Sequence, residues 1–190
     1  STRPDVVGDV LARQLRVLQD KLPPFPVETA RKMVEAELDA PVDQLFSEFE
    51  PAIAAASIAQ VHPARLASTG QKVAVIVLRP KIEAAFQKDV DAFYLAARLV
   101  EILAPSARRL RPMDVITHFE GVVLGELDLR LETSAAAEFK ANTDNDPGFN
   151  VPMVHWFLSS RRVMTMEWVD GIPMGDVEAI SAAGHNTTDL

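Results

Sequence analysis

The most restrictive feature of this sequence is an unbroken apolar run over residues 73–78, which ends two residues before Pro80. The run is rich in β-branched residues and follows a turn signal at residues 68–70, so it predicts a buried strand over residues 72–78. The small and β-branched residues of 52–61 come before that turn. Together these segments predict an antiparallel meander, and hence a fold organised around a sheet.

Composition places the chain among globular proteins that can bury a core. Of its 190 residues, 48% are hydrophobic and 24% are charged. The net charge of −8 argues against a protein whose main role is to coat nucleic acid, because that role needs a basic surface. The absence of cysteine excludes disulfide scaffolds and thiolate metal sites. The apolar runs are far shorter than the ~18 residues of a membrane span, so no span is predicted in this chain.

Residues 1–50 predict a helical extension at the N-terminus. Apolar residues recur at steps of three and four over residues 5–20, 27–38 and 42–49. Prolines lie between these segments, as helix ends and first helical turns require. We therefore expect three short helices before the sheet begins.

Two long amphipathic helices are predicted behind Pro80. Helical spacing is unbroken over residues 82–103 and stops at Pro105. A second helix is predicted over residues 114–140. Residues 126–132 alternate polar and apolar, which is a strand pattern, but their flanks have helical spacing and no turn residue separates them. The sequence therefore predicts one continuous helix through this stretch.

The last third of the chain predicts a hairpin, with strands over residues 151–157 and 163–169 joined by a serine-containing turn. Residues 177–190 lose the apolar period, so this end of the sequence is interpreted as frayed or truncated. The predicted fold class is α+β, with an antiparallel sheet of about five strands and two long helices packed against it. This sheet domain is expected to cover residues 51–176.

One short motif has both a structural and a chemical interpretation. Small side chains let a turn press its backbone against a phosphate much as glycines do, and such residues follow one another here as Ala54, Ala55, Ala56 and Ser57. Taken alone, packing is the commoner explanation of such a stretch.

Three carboxylates lie close together in sequence, at Glu126, Asp128 and Glu132. On a helix, the step from Asp128 to Glu132 puts both on one face, where like charges are costly unless a cation lies between them. A solvated acidic face is the commoner interpretation. The four histidines have no metal-ligand spacing, so no metal site is predicted.

In their order along the chain, these segments resemble the UbiB family of atypical kinase-like proteins, also called aarF-domain or coenzyme Q accessory kinases. The opening Ser-Thr-Arg-Pro-Asp is similar to the stretch that follows the family's Lys-x-Gly-Gln element, which the resemblance places just upstream of Ser1. Residues 18–26 look like the family's helix-breaking segment. Residues 54–62, Ala-Ala-Ala-Ser-Ile-Ala-Gln-Val-His, are similar to its alanine-rich loop, and residues 163–171 to its fifth strand and hinge.

The resemblance implies an N-terminal kinase lobe that binds ATP or ADP with Mg²⁺. It also implies a second lobe, which residues 177–190 would begin and which would hold most of the Mg²⁺ ligands. It implies that the alanine-rich loop covers the phosphates, with further nucleotide contacts from Val61 and Ala74. Adenine would lie against the hinge residues Glu167, Trp168 and Val169. Glu126 and Asp128 match the family's Glu-x-Asp motif, which helps to control the site, and Glu132 matches the glutamate that normally pairs with a strand lysine.

Two departures from the family pattern bear on catalysis. Residues 73–76, Val-Ala-Val-Ile, are similar to the family's Val-Ala-Val-Lys, so Ile76 takes the place of the lysine. Lys72 lies about 13 Å away at ~3.3 Å per strand residue and is a poor substitute. The resemblance places the catalytic loop and the metal-binding Asp beyond Leu190, so this chain alone is expected to transfer no phosphate. A natural pseudokinase, an isolated substitution and a sequence error all stay open as origins of Ile76.

The function implied is that of a nucleotide-binding lobe of an atypical kinase or ATPase that supports ubiquinone biosynthesis. The resemblance implies a cytoplasmic location, peripheral at the inner face of a bacterial inner membrane. Isoprenoid or quinone-precursor lipids and other biosynthetic proteins are the implied partners, and nucleic acid is not expected. The alternative is a non-catalytic pseudokinase that binds a lipid or a protein, and a plain helical scaffold without a ligand is a third hypothesis.

Overall fold

The computed structural model of the chain describes residues 23–172 and 176–184. The helix predicted over residues 5–20 and the last part of the predicted second-lobe segment lie outside the described residues. The opening residues similar to the stretch after the Lys-x-Gly-Gln element lie outside them as well.

Five strands form one antiparallel sheet in the described part of the chain. They are β1 (Phe46–Phe49), β2 (Ala54–Ala55), β3 (Ala59–Leu66), β4 (Lys72–Leu78) and β5 (Val163–Glu167). The strand order is β1-β3-β4-β5, and β2 pairs with β3. Gly70 has a φ of 71° in the tight turn from β3 to β4, a backbone conformation that glycine adopts without strain. The predicted antiparallel sheet is confirmed.

The sheet is covered on both faces at β4, which explains the unbroken apolar run in the sequence. Successive side chains of a strand point to opposite faces. One face of β4 packs into a core that also contains Val34 of α1 (Val27–Leu38), through the side chains of Val73, Val75 and Val77. The opposite face packs against a second cluster that includes Leu129 and Met164, through Ile76 and Leu78.

Six helices accompany the sheet in the described ranges. Besides α1, they are α2 (Val42–Leu45), α3 (Ile82–Leu103), α4 (Pro112–Glu126), α5 (Leu129–Thr143) and α6 (Val177–Ala182). The long α3 confirms the helix predicted behind Pro80. It packs on α4, where Phe93 and Phe119 meet edge to face with their ring centres 6.0 Å apart. A 3₁₀ turn (Pro105–Leu110) joins α3 to α4, so the two form a helical hairpin.

The single helix predicted over residues 114–140 is wrong, because the chain leaves the helix at Leu127 and Asp128. Asp128 is extended, with φ −120° and ψ 91°, and its carboxylate accepts a hydrogen bond from the backbone N–H of Arg130. Leu127 is fully buried, and the Leu129 N–H donates to the Arg161 carbonyl 2.9 Å away. An aspartate N-cap and a tertiary contact therefore start a new helix where the alternating pattern stands.

The hairpin predicted near the end of the chain is only half correct. Its second arm is β5, which ends at Glu167 and is shorter than predicted. Its first arm is not a strand. Val154 makes one isolated bridge with Met166, and a 3₁₀ turn (Trp156–Leu158) follows at once.

The helix predicted over residues 42–49 stops at Leu45, and the rest of that segment is β1. Phe46 is buried in the core beneath the sheet, and its N–H closes the last turn of α2. The spacing of Val42, Leu45, Phe46 and Phe49 is helical, but a register shift between Phe46 and Glu48 lets both phenylalanines of β1 pack in the core. Pairing with β3 decides the structure, since tertiary context overrides a short periodic signal.

Candidate functional site

The alanine-rich stretch forms a tight turn at the edge of the sheet. Ala54 and Ala55 make the two-residue strand β2, and the Ala56 N–H donates to the Ala59 carbonyl 2.8 Å away as the chain turns into β3. The side chains of Ala54, Ala56 and Ser57 are exposed. Because these side chains are small, the backbone of the turn is open to close approach by a ligand.

Four of the predicted residues lie on one face of the sheet. Ile76 pairs with Val61 on one side and with Met164 on the other. Paired residues share a face, as do residues two apart in a strand, so Ala74 joins them. Ala54 pairs with Val61 and therefore brings the alanine-rich turn to the same face. The sequence-predicted loop, Val61, Ala74 and the lysine position are thus brought together.

The three carboxylates line a cleft of about 430 Å³ where α4 meets α5. Its lining consists of Val122, Gly125, Glu126, Asp128, Leu131, Glu132 and Ala135. Glu126 and Glu132 are exposed, whereas Asp128 is partly buried. Among the residues that the structure describes, no group of three or more acidic or histidine side chains is arranged to hold a metal ion.

Asp128 already has a partner within the chain. The Arg130 guanidinium donates to both carboxylate oxygens, with Nε 2.9 Å from Oδ1 and Nη2 2.5 Å from Oδ2. These bonds from Arg130 hold the pKa of Asp128 below its usual value, so the group stays ionised. Asp128 therefore begins α5 and anchors Arg130, a role that the sequence analysis did not foresee.

Glu132 is exposed on α5, the helix that packs against the Ile76 face of the sheet. Leu129 and Ala136 both pack in the cluster that contains Ile76. Glu132 is three residues after Leu129 and four before Ala136, so all three lie along one side of the helix. α5 thus packs on the sheet face that contains Ile76, while the Glu132 side chain lines the cleft toward α4.

The predicted hinge residues begin at Glu167, the last residue of β5, and two of their backbone donors are in use. The Glu167 N–H donates to the Met153 carbonyl at 2.8 Å, and the Trp168 N–H lies 3.4 Å from the Lys72 carbonyl. The Trp168 indole donates to Asp170 at 2.7 Å. Val169 comes next and is 53% exposed. Of the three predicted hinge residues, Val169 is therefore the most accessible to a ligand.

A buried polar network, which the sequence did not predict, lies behind the alanine-rich turn. His62 Nδ1 lies 2.8 Å from the Glu50 carbonyl, and a carbonyl only accepts, so Nδ1 carries the proton. Its Nε2 then accepts from the Gln60 amide at 2.7 Å. Burial lowers the pKa of His62, and the bond to Glu50 opposes this only in part. The signal was present, because Gln60 and His62 are polar residues at inward positions of a strand.

These elements define a kinase-like N-terminal lobe. It has an antiparallel five-stranded sheet, a small-residue turn at the sheet's edge, and a helix, α5, that packs on one face and carries Glu132. Residues 17–190 match the ABC1 atypical kinase-like domain. The chain therefore belongs to the ABC1 family of atypical kinase-like proteins.

Curated relatives agree with this assignment. The chain is 43% identical over 187 residues to a protein of Marinobacter nauticus named "Probable protein kinase UbiB", with 98% of this chain covered. Proteins of the same name from Pseudomonas aeruginosa and Shewanella baltica are 41% identical over 181 residues and 42% over 187, with 95% and 98% of this chain covered. In each case the match spans 34% of the relative's length. The chain thus covers about a third of these relatives.

Proposed function

We propose that this chain is the nucleotide-binding N-terminal lobe of a UbiB-type atypical kinase or ATPase that supports ubiquinone biosynthesis. The observation that carries the proposal is the alanine-rich turn, which lies on the same sheet face as Val61, Ala74 and Ile76. A turn with small side chains beside half-buried apolar side chains of the sheet suits the phosphates and the flat base of ATP or ADP.

The residues present fit the nucleotide better than they fit its metal. The apolar face and the open turn suit the base and the phosphate backbone, but Ile76 offers no charge to the phosphates. The acidic side chains around α5 form no metal-binding group in the described ranges, so we assign no step to Mg²⁺ in this chain. The nucleotide would supply the phosphoryl group, and we assign no transfer step to the described residues.

We assign each predicted residue a role in this binding site. The turn residues Ala54, Ala55, Ala56 and Ser57 cover the phosphates through their backbone. Glu132 orients whatever cation replaces the missing lysine, and Glu126 and Asp128 regulate access near the cleft. The backbone around Glu167, Trp168 and Val169 holds adenine, with Val169 the most exposed of the three.

A thermal-shift titration of the whole chain with Mg-ADP and Mg-ATP tests the proposal. A ligand that binds only the folded state adds about 2.7 kcal/mol at a hundred times its dissociation constant, so the unfolding temperature should rise clearly. Ile76→Lys should strengthen binding by pairing with Glu132. Ile102→Lys is the matched control, because it adds the same charge at an exposed site on α3. Absence of a shift in both wild type and Ile76→Lys, with the fold intact, would reject nucleotide binding by this lobe.

The second candidate is a non-catalytic module that docks on a membrane surface, and the helical hairpin supports it. Its tip exposes aliphatic side chains, with Ile102 64% and Leu103 79% accessible. Residues 98–111 contain four arginines and one glutamate, although the chain as a whole carries −8. Exposed aliphatic groups beside arginines suit the boundary of an anionic bilayer. A peripheral location at the inner face of a bacterial membrane would follow. None of the described helices is long and apolar enough to cross a bilayer.

Co-sedimentation with vesicles separates the two candidates. Binding to phosphatidylglycerol-containing vesicles, but not to pure phosphatidylcholine, is expected and should weaken with salt. The double variant Ile102→Ser with Leu103→Ser should lose it, while Ile53→Ser, equally exposed but far from the tip in sequence, should not. Vesicle binding without any nucleotide shift would favour the non-catalytic module, whether its natural partner is an isoprenoid lipid or a biosynthetic protein.

A further inference from the structure

Arg79 ties the alanine-rich turn to the segment that precedes α1. Its Nε donates to the Ala56 carbonyl at 2.9 Å, and its Nη1 to the Pro23 carbonyl at 3.3 Å. The Arg79 backbone N–H also donates to the Ile58 carbonyl at 2.7 Å. One residue, placed directly after β4, thus contacts both ends of the turn and a part of the chain more than fifty residues earlier.

Gln60 makes a second attachment to the same segment. Its Oε1 accepts from the Phe25 N–H at 3.0 Å, and its Nε2 donates to the Phe25 carbonyl at 3.2 Å. Gln60 is fully buried and pairs with Ala55 of β2. Separating Phe25 from Gln60 would leave a buried amide without these partners, which is costly.

These contacts link residues 23–26 to the alanine-rich turn at two points. Pro23 is held through Arg79 to Ala56, and Phe25 is held through Gln60 to the strand that pairs with Ala55. The Phe25 ring lies edge-on to His62, which completes the same network. Displacing residues 23–26 would therefore remove support from the turn at two points.

We propose that Arg79 and Gln60 couple the position of residues 23–26 to nucleotide binding at the alanine-rich turn. The docked segment holds the turn in its binding conformation, and anything that pulls the segment away weakens binding. Coupling between sites is reciprocal, so bound nucleotide in turn strengthens the docking of the segment. The inference rests on the proposed nucleotide site, but Arg79 and Gln60 act as positioning residues and touch no ligand.

Two backbone amides report on the two sides of this coupling. Phe25 carries the only N–H in residues 23–26, since the other three are prolines, and it is bonded to Gln60. The Ala56 N–H is bonded to the Ala59 carbonyl within the turn. Hydrogen exchange of the whole chain at single-residue resolution, with and without Mg-ADP, follows both amides together.

Arg79→Met is the test variant. The guanidinium of Arg79 bonds to both the Ala56 and the Pro23 carbonyls, and the residue is only partly buried. Without nucleotide, exchange at Phe25 and at Ala56 should speed up together. Affinity for Mg-ADP should fall by at least about fivefold, and the slowing that ADP causes at Phe25 should disappear. Arg79→Lys keeps the charge and one donor, and it should recover part of both effects.

Arg65→Met is the matched control. Arg65 lies in β3 and also donates to a backbone carbonyl, that of Gly70 at 3.1 Å, but at the other end of the strand. It should leave the exchange of Phe25 and Ala56, and the affinity for ADP, unchanged.

The measurements distinguish a wrong coupling hypothesis from a wrong nucleotide-site hypothesis. If wild-type protein binds no nucleotide, the proposed function fails, while faster exchange at both amides in Arg79→Met would still establish the link. If Arg79→Met binds Mg-ADP as wild type does, or loosens Phe25 while Ala56 keeps its wild-type rate, the coupling is wrong.

Discussion

The ammonium group of Lys72 lies 3.8 Å from the centre of the Trp168 indole ring. Lys72 begins β4, whereas the alanine-rich turn leads into Ala59, which pairs with Leu78 at the far end of that strand. The lysine of β4 is therefore engaged at the end of the sheet away from the turn. This contact agrees with the expectation that Lys72 is a poor substitute for a lysine at position 76.

Lys72→Met should lower the free energy of unfolding by about 0.5–1 kcal/mol, because it removes a cation–π contact between partly exposed groups. Its affinity for Mg-ADP should stay at the wild-type value. Urea unfolding measures the free energy of unfolding, and the nucleotide titration measures the affinity for Mg-ADP. Lys88→Met, on an exposed position of α3, removes the same charge and serves as the control. A loss of ADP affinity confined to Lys72→Met would contradict the assignment.

Thr133→Val should stabilise the protein. The Thr133 hydroxyl on α5 is buried and has no hydrogen-bond partner among the described residues. Replacing an unsatisfied buried hydroxyl by a methyl group of similar size removes its desolvation cost, which is about 1 kcal/mol or more. The free energy of unfolding, measured in urea, should rise by roughly that amount.

Thr165→Val is the matched control for this prediction and should have the opposite sign. Thr165 is also fully buried, but its hydroxyl donates to the Leu158 carbonyl at 2.6 Å. The variant should lose about 1–3 kcal/mol of unfolding free energy, because the Leu158 carbonyl loses its hydrogen-bond partner. Equal effects of the two substitutions would show that burial alone, and not hydrogen bonding, decides the outcome.

Asp128→Ala should destabilise α5 by about 0.5–2 kcal/mol, the usual cost of losing an N-cap. Asp128→Asn should cost less, because an amide oxygen still caps the helix. Since Arg130 holds the pKa of Asp128 low, the carboxylate's contribution is present above its ordinary pKa and is lost as the pH falls through the lower folded value. Unfolding of the wild type, Asp128→Ala and Asp128→Asn across this pH range measures both the loss of stability and its pH dependence. Asp146→Ala removes the same charge from an exposed loop and should have no effect.

Stability should also decrease as the pH falls below about 6.5, because the buried network requires neutral His62. Burial lowers the pKa of His62 in the folded protein, so the unfolded chain binds more protons below its ordinary value of 6.5. The His62 contribution is fully present above that value and is lost as the pH falls through the folded pKa. Unfolding midpoints in urea across this range measure the slope.

His155 contributes to the same slope and must be separated from His62. Burial lowers the pKa of His155 too, and the nearby charge of Glu167 partly opposes this. His62→Gln and His155→Gln should each remove one part of the pH dependence. If the slope persists unchanged in both variants, the histidines are not its cause.

Elements whose sequence pattern allowed only one interpretation were predictable from the sequence. β4 has apolar residues on both faces, and α3 keeps one helical stripe from Ile82 to Leu103, so neither had a competing interpretation. The segments with two valid periods failed. Residues 126–132 fit a helix and a strand, and what decided their structure was the Asp128 cap and the contact of Leu129 with Arg161, which no local pattern contains.

The alanine-rich turn was visible in the sequence, because its small residues follow one another in the chain. Val61 and Ala74 were named through the family resemblance, and their place on one face with Ile76 comes from the strand pairing. Arg79 and Gln60 were missed because their partners, Pro23 and Phe25, are far away in sequence. Backbone partners leave no complementary side chain to find, so such contacts are visible only in three dimensions.

The irregular segment beside β5 has a consequence for how this sheet avoids aggregation. The His155 N–H donates to the Thr165 carbonyl and the Glu167 N–H to the Met153 carbonyl, so the outer edge of β5 is occupied without a sixth strand. At the opposite edge, β1 has four residues and its register with β3 shifts between Phe46 and Glu48. Short, irregular or covered edges are poor templates for another chain. Residues 151–157, which were predicted to be a strand, thus cover the edge of β5 and oppose edge-to-edge pairing between copies of this lobe.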